Sequence, residues 1–220
     1  MEKIKIVYED RDILVVNKPA NLLTIATNKN ENKTLYRMTR EYIKKVNPKI
    51  KVFIVHRLDK DTSGLVVFAK SEKAKTILQN NWEQTIRKYY AVVKGKPEKH
   101  QVIKNYLKEN KEYYVYATDD KQTGKLAITE YNLIKKQGKY ALLDVLIKTG
   151  RKNQIRVHMN DLNLPIVGDH KYALDKTSRE LLLHAYYLKF NHPITNKPME
   201  FNINPPKYFE RYVKLDNNGK

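Results

Sequence analysis

Cysteine is absent from the chain, so disulfides and thiolate metal sites are excluded, and a reducing, cytoplasmic setting is expected. Long apolar runs are missing too. The N-terminus, Met1-Glu2-Lys3-Ile4-Lys5, opens with charges and develops neither the apolar centre of a leader nor a membrane-spanning segment. Acidic residues are in deficit: 24 Asp plus Glu stand against 43 Lys plus Arg, a formal charge of +19 over 220 residues. Solubility needs far less, and an extended polyanion, RNA or DNA, is the partner such an excess suits. A membrane surface would call for a basic amphipathic helix with a lipid-facing stripe. Here the charge is spread along the chain with 16 Tyr interleaved, so no membrane role is expected. There is no internal repeat and no low-complexity segment.

What is there reads as one domain over residues 1–220 with a substantial core. Ile4 to Val7 and Ile13 to Asn17 are short β-rich runs divided by the charged turn Glu9 to Asp12. Leu35, Met38, Tyr42, Ile43 and Val46 recur at helical spacing before the stop Asn47-Pro48. Leu65 to Ala69 is an apolar strand, and Ser71 suits the N-cap of a helix carrying Ala74, Ile77, Leu78 and Trp82 on one face. Tyr89 to Val93 and Tyr113 to Ala117 return to strand character, and Leu126 to Ile134 and Tyr140 to Lys148 form a hairpin across Lys135 to Lys139. Ile155, His158, Met159 and Leu162 trace a buried helical face that makes His158 a core residue. Thr177-Ser178-Arg179-Glu180 fits a capping box opening the Leu181 to Leu183 segment. The tail Asp216 to Lys220 is expected to fray. Strands outnumber helices, so the fold class is α+β, a mixed, largely antiparallel sheet with flanking helices.

The run Val55-His56-Arg57-Leu58-Asp59-Lys60-Asp61-Thr62-Ser63-Gly64-Leu65 sets acids among cations and ends in a tight Ser-Gly bend before an apolar strand. Spacing alone leaves two readings open: an active-site loop held by a rigid strand, or a charged surface turn capped by Asp59 or Asp61. His56 reads as a structural residue of the loop. A metal site on His56 and Asp59 would need a further ligand cluster at the right spacing, so no metal is expected.

This run resembles the His-Arg-Leu-Asp signature of the RluA family of RNA pseudouridine synthases. Asp12-Ile13-Leu14-Val15-Val16-Asn17-Lys18-Pro19-Ala20 is similar to the family's first motif, and Arg87-Lys88-Tyr89-Tyr90-Ala91 with Gly95 to its tyrosine motif. Thr149 to His158 resembles the third motif, followed by Pro165 to Asp169 and Tyr172. Leu183-His184-Ala185, Phe190 and His192-Pro193 match the C-terminal stretch. Two positions depart from the pattern. Asn21 stands where the family usually has Gly, a change that a left-handed turn tolerates. Asn153 replaces a common histidine, which puts any acid/base role there in doubt. The chain starts almost at the first motif, so the N-terminal S4-like domain of some members is not expected.

The resemblance implies a pseudouridine synthase fold with a central RNA cleft, and isomerisation of specific uridines in an rRNA or tRNA stem-loop without cofactor. It makes Asp59 the catalytic carboxylate, either attacking C1′ or removing a proton from C2′; both roles need it ionised. Arg156 is the guanidinium that would favour that form. Tyr89 would stack on the extruded base, and strand alternation sends Tyr90 the other way. Arg57 would fill the space of the flipped uridine. Leu58, Lys18, Arg151, Gln154 and Ile155 complete the expected substrate-binding set, with Lys18 on the cleft rim meeting a phosphate. A monomer is expected. Two other readings remain: a non-catalytic RNA-binding protein on the same fold, and a carboxylate-pair glycosidase using Asp59 with Asp144 or Asp169, for which +19 has no purpose.

Overall fold

A computed structural model describes residues 4–26, 33–173 and 176–214. The tail Asp216 to Lys220 lies outside the described residues. In chain order the elements are β1 (Lys5–Glu9), β2 (Ile13–Lys18), α1 (Leu35–Val46), β3 (Phe53–Ile54), β4 (Ser63–Ala69), α2 (Glu72–Asn80), β5 (Ile86–Lys94), β6 (His100–Glu109), β7 (Val115–Thr118), β8 (Lys125–Gln137), β9 (Tyr140–Ile147), α3 (Gln154–Asp161), β10 (Leu183–Asn191) and β11 (Pro198–Asn202). Short 3-10 turns follow at Trp82–Gln84 and Lys207–Arg211. By its contacts the chain divides into two compact units, Met1–Ile86 with Ala185–Ile203, and Arg87–His184 with Asn204–Lys220. The pairings β1–β2, β2–β4, β3–β4, β10–β11, β5–β9, β6–β7, β6–β8 and β8–β9 are antiparallel, and among the described residues three α-helices accompany the strands, an α+β architecture.

In the first unit β2 pairs with β1 and β4, β3 with β4, and β11 with β10. Every residue of β4 is buried, which is why it reads as an unbroken apolar run rather than an alternation. One face of β2 and β4 places Ile13, Val15, Leu65, Val67 and Ala69 in a cluster with Ala74 and Leu78 of α2 and with Leu188, Phe190 and Phe201. Alternation sends Leu14, Val16, Val66 and Phe68 to the other face, equally buried. Helix α2 starts where the Ser71 hydroxyl accepts the Ala74 N–H, and α1 where Thr34 accepts that of Arg37, each meeting a donor the helix leaves unpaired. Truncating Leu78 to Ala would open a cavity at a cost of about 2–5 kcal/mol. At Gly64 (φ +120°) an added Cβ would lie 2.3 Å from the Ala185 carbonyl oxygen, so only glycine lets β4 approach β10.

In the second unit the strand order is β5, β9, β8, β6, β7. One face carries α3: Val157 joins Leu107, Val115, Ala127 and Tyr172 in a cluster, and the His158 Nε2 meets the Asn105 Oδ1 at 2.7 Å. Burial pulls the His158 imidazole down to about 4, so it sits neutral in the core, as its place on the helical stripe implied. The other face of β5 and β9 is closed by Phe209 and Val213, packed with Val92, Leu142, Tyr90 and Tyr140.

Three expectations are corrected. The capping box at Thr177 to Glu180 opens no helix: Ser178 accepts the Glu180 N–H two residues on, and Leu182 gives its N–H to Val167 and its carbonyl to Val92, so sheet-like pairing claims the backbone. Between Lys96 and Lys125, where the sequence marks a strand only at Tyr113 to Ala117, the chain holds the ten-residue strand β6 as well as β7. The outward face of β6 carries the exposed Val102, and its inward face holds Gln101 and Asn105 beside Ile103 and Leu107, so polarity does not follow the strand's period. Strand β7 itself starts at Val115, because Tyr113 adopts a positive φ of 60°.

Candidate active site

Asp59 lies in the first unit, on the loop between β3 and β4, and its neighbours on either side are pinned. The Thr24 hydroxyl donates to the Leu58 carbonyl at 2.7 Å and accepts the Leu58 N–H at 3.2 Å. On the other side Lys18 Nζ donates to the Lys60 carbonyl at 2.9 Å. Asp59 itself is half-buried, Leu58 is buried and Arg57 exposed. His56 accepts the Val67 N–H through Nε2 and stacks on Trp82 with ring centres 4.3 Å apart, which fixes the loop's entry to β4. Both chain neighbours of Asp59 are thus held, an arrangement able to keep a carboxylate in one position.

Lys18 is not where the sequence suggested. It was expected on a cleft rim, yet it is wholly buried, and its ammonium donates to the Pro19, Leu22 and Lys60 carbonyls at 3.1, 2.7 and 2.9 Å. Burial lowers it from 10.5 to about 7, against the opposing charges of Asp59 and Asp61. Three acceptors match the three N–H bonds of the protonated form. The role is internal: Lys18 ties the end of β2 and the Asn21 turn to the Asp59 loop. Asn21 holds the left-handed backbone (φ 61°) expected of it. Beside these residues opens a cavity of about 430 Å³, lined by residues 19–23 with Lys33 and Lys60.

Tyr89, Arg151, Gln154, Ile155 and Arg156 lie in the second unit. Tyr90 packs in the cluster closed by Phe209, so Tyr89, which is also buried, faces the opposite side of β5. Arg156 is buried on α3 and forks onto Asp169, Nε to Oδ2 at 2.9 Å and Nη2 to Oδ1 at 2.7 Å. Its guanidinium also lies 5.3 Å from the Tyr172 ring centre. Asp169 further accepts the Lys171 and Tyr172 N–H groups, so this carboxylate orients the arginine and the turn after it. Asp144 pairs with Lys88 at 3.1 Å, which leaves the glycosidase reading with second carboxylates already engaged in ion pairs.

Gln154 braces the start of α3. It accepts from the Thr149 hydroxyl and the Arg151 N–H, and donates to the Ile128 carbonyl and the Thr129 hydroxyl. Ile155 is buried, while Arg151 is exposed and donates through Nε to the Leu126 carbonyl. Asn153 precedes the helix with φ 53° and donates to the Tyr172 hydroxyl at 2.8 Å, so the amide found in place of histidine is a hydrogen-bonding strut. Sequence reasoning missed Thr24 and the partnership of Asp169 with Arg156. The only available signal was that a buried arginine on an apolar helix must find an acid.

Asp10, Asp12 and His192 bring carboxylate and imidazole atoms within 4.8 Å of one another. Their hydrogen bonds run inward: His192 Nδ1 accepts from Ile194 and Thr195, which leaves the Nε2 proton for Asp10, and Asp10 also accepts from Tyr8, Asp12 and Ile13. Partial burial works against ionisation of Asp10, but those donors hold its carboxyl below the usual range. The cluster ties the β1–β2 turn to the end of β10.

A model of the family described as RNA pseudouridylate synthase matches residues 12–161. An uncharacterised RNA pseudouridine synthase of Mycoplasma genitalium is 33% identical over 97% of this chain and 71% of its own length. The ribosomal large subunit pseudouridine synthase D of Borreliella burgdorferi is 37% identical over 86% of this chain and 61% of its own. Human RNA pseudouridylate synthase domain containing 4 shares the fold, with a TM-score of 0.79 at 23% identity over 93% of this chain and 90% of that one.

Proposed function

The chain belongs to the RNA pseudouridylate synthase family, in its RluA branch, and from there we propose that it isomerises a specific uridine of a structured RNA with Asp59 as the carboxylate at the sugar. The observation that carries this reading is the two-sided bracing of Asp59, by Thr24 at Leu58 and by Lys18 at Lys60. The reaction breaks the C1′–N1 bond, turns the uracil, and joins C5 to C1′; the C5 proton leaves and N1 gains one. Atoms balance without oxidant, reductant or hydrolysis, so a carboxylate, a base-holding ring and a means of extrusion suffice. Asp59 ionised serves at C1′ or C2′, Tyr89 stacks on the uracil, and Arg57, exposed at the mouth of the loop, fills the vacated stack. Arg156, oriented by Asp169, keeps in this reading the catalytic part that the third-motif resemblance implies. The charge of +19 supports a polyanionic substrate. Relatives named for the large ribosomal subunit support ribosomal RNA as the target in this reading, and transfer RNA is the alternative.

Tritium release tests the proposal. Bulk RNA carrying uridine tritiated at C5, from cells lacking the gene, is incubated with the wild-type protein and Asp59→Asn. Release by the wild type that vanishes in the variant is the expected result. Tight RNA binding with no release from either would leave an RNA-binding protein on this fold and refute the enzyme.

A further inference from the structure

The tip between β6 and β7 sets an aromatic ring in water. Tyr113 is 71% exposed, more than any other large apolar side chain among the described residues. Its backbone is left-handed, with φ 60°, a conformation costing an aromatic residue about 1–2 kcal/mol that Asn or Gly would adopt readily. The fold holds it there. Asn110 accepts the Glu112 and Tyr114 N–H groups through Oδ1, its carbonyl takes the Tyr113 N–H, and its own N–H reaches the Tyr114 carbonyl. From the loop after α3, Lys171 Nζ donates to the Tyr113 carbonyl at 2.9 Å.

Cations lie against the rings. Lys152 Nζ lies 5.2 Å from the Tyr113 ring centre, and Lys171 Nζ 5.8 and 5.4 Å from those of Tyr114 and Tyr172, which are themselves 4.8 Å apart. Lys152 also pairs with Glu109. Core packing does not account for a ring this exposed, and a hydrogen-bonded tip bearing strain without burial points to a ligand. An exposed aromatic face with ammonium groups beside it suits unpaired nucleobases joined by phosphates: every base offers a π-face, and the lysines meet the backbone. An acidic protein would need the cations but not a preorganised ring.

We propose that Tyr113, flanked by Lys152 and Lys171, is a stacking platform for an unpaired base of the substrate RNA other than the uridine that reacts. This rests on the pseudouridine synthase reading and adds a second point of grip that helps select the RNA.

The test compares wild type, Tyr113→Asn and Tyr113→Trp. Asn relieves the left-handed strain, so its thermal midpoint stays at or above wild type and folding is not in question. Two quantities are read: Kd for a fluorescein-labelled single-stranded oligouridylate, and KM and kcat for tritium release from bulk RNA. Loss of one base–aromatic stack should raise Kd and KM about tenfold in Tyr113→Asn, with kcat unchanged and Tyr113→Trp at or below wild-type Kd. Unchanged Kd and KM in Tyr113→Asn, in a protein that still releases tritium, overturns the platform alone. A wild-type protein that neither binds the oligouridylate nor releases tritium overturns the enzyme and the platform together.

Discussion

Replacing Lys18 with methionine separates what holds the Asp59 loop from what holds the fold. Methionine has similar length and no donor, so three carbonyls lose the ammonium that serves them. A buried acceptor left without a partner costs roughly 1–3 kcal/mol. The Leu22 bond is fully buried and takes that loss, while the Pro19 and Lys60 bonds are partly buried and water can replace them in part. In the opposite direction, the variant no longer holds a charge in a site with no exposure. The drop from 10.5 to about 7, at about 1.4 kcal/mol per unit, makes that relief several kcal/mol at low pH. The two terms are of similar size, so global stability should change by no more than about 2 kcal/mol, a shift in Tm of at most about 8 °C.

Activity should change far more, because the anchor at Lys60 is gone. A displacement near 1 Å at a reacting group can cost about a hundredfold, and kcat for tritium release should fall by about tenfold to a hundredfold. The pH profile adds an independent reading. A neutral amine offers two N–H bonds where the ammonium offers three, so raising the pH through about 7 should loosen one carbonyl and depress wild-type kcat. Stability moves the other way. The folded-state pKa lies below the unfolded one, so between about 7 and 10.5 the unfolded chain holds the extra proton, and this group's contribution to stability rises with pH. Lys18→Met should lack that limb. A variant with wild-type kcat and an unaltered pH profile would refute the bracing argument.

Gly64→Ala should fail to fold stably: with φ at +120° and a backbone oxygen 2.3 Å from the new Cβ, the loss should exceed about 4 kcal/mol, and a wild-type thermal midpoint would contradict the close approach. Asp169→Ala removes the carboxylate from a buried, bidentate Arg156 and should destabilise by about 3–5 kcal/mol in urea unfolding. Adding Arg156→Met should recover much of that loss, and no recovery would mean the pair is not the cause. RNA affinity should fall by roughly 0.7 log unit per log unit of salt for each single-strand phosphate contact, measured by anisotropy, and salt-independent binding would exclude a phosphate-dominated interface.

The sequence by itself determined the parts governed by short-range rules. The buried strands β2 and β4 show as apolar runs, α1 as a helical stripe ended by Asn47-Pro48, and the Ser71 cap by its hydroxyl before the first turn. Tyr89 and Tyr90 part because a strand alternates, and Asn21 tolerates φ 61° because its side chain is short and polar. The same local rules misled at Thr177 to Glu180, where Val167 and β5 take the backbone of the following Leu182, and along β6, where an outward valine and inward amides break the alternation.

What only the tertiary structure decided is where polar groups find their partners. Nothing local marks Lys18 as buried. Its placement follows from a carbonyl 42 positions away, as Thr24 is placed by Leu58, 34 positions on, and Arg156 by Asp169 across a turn. A lysine beside a proline looks the same in sequence whether it meets solvent or three carbonyls. The distinction is made by the desolvation each group undergoes when strands close over it, and by which acceptors the fold brings within about 3 Å.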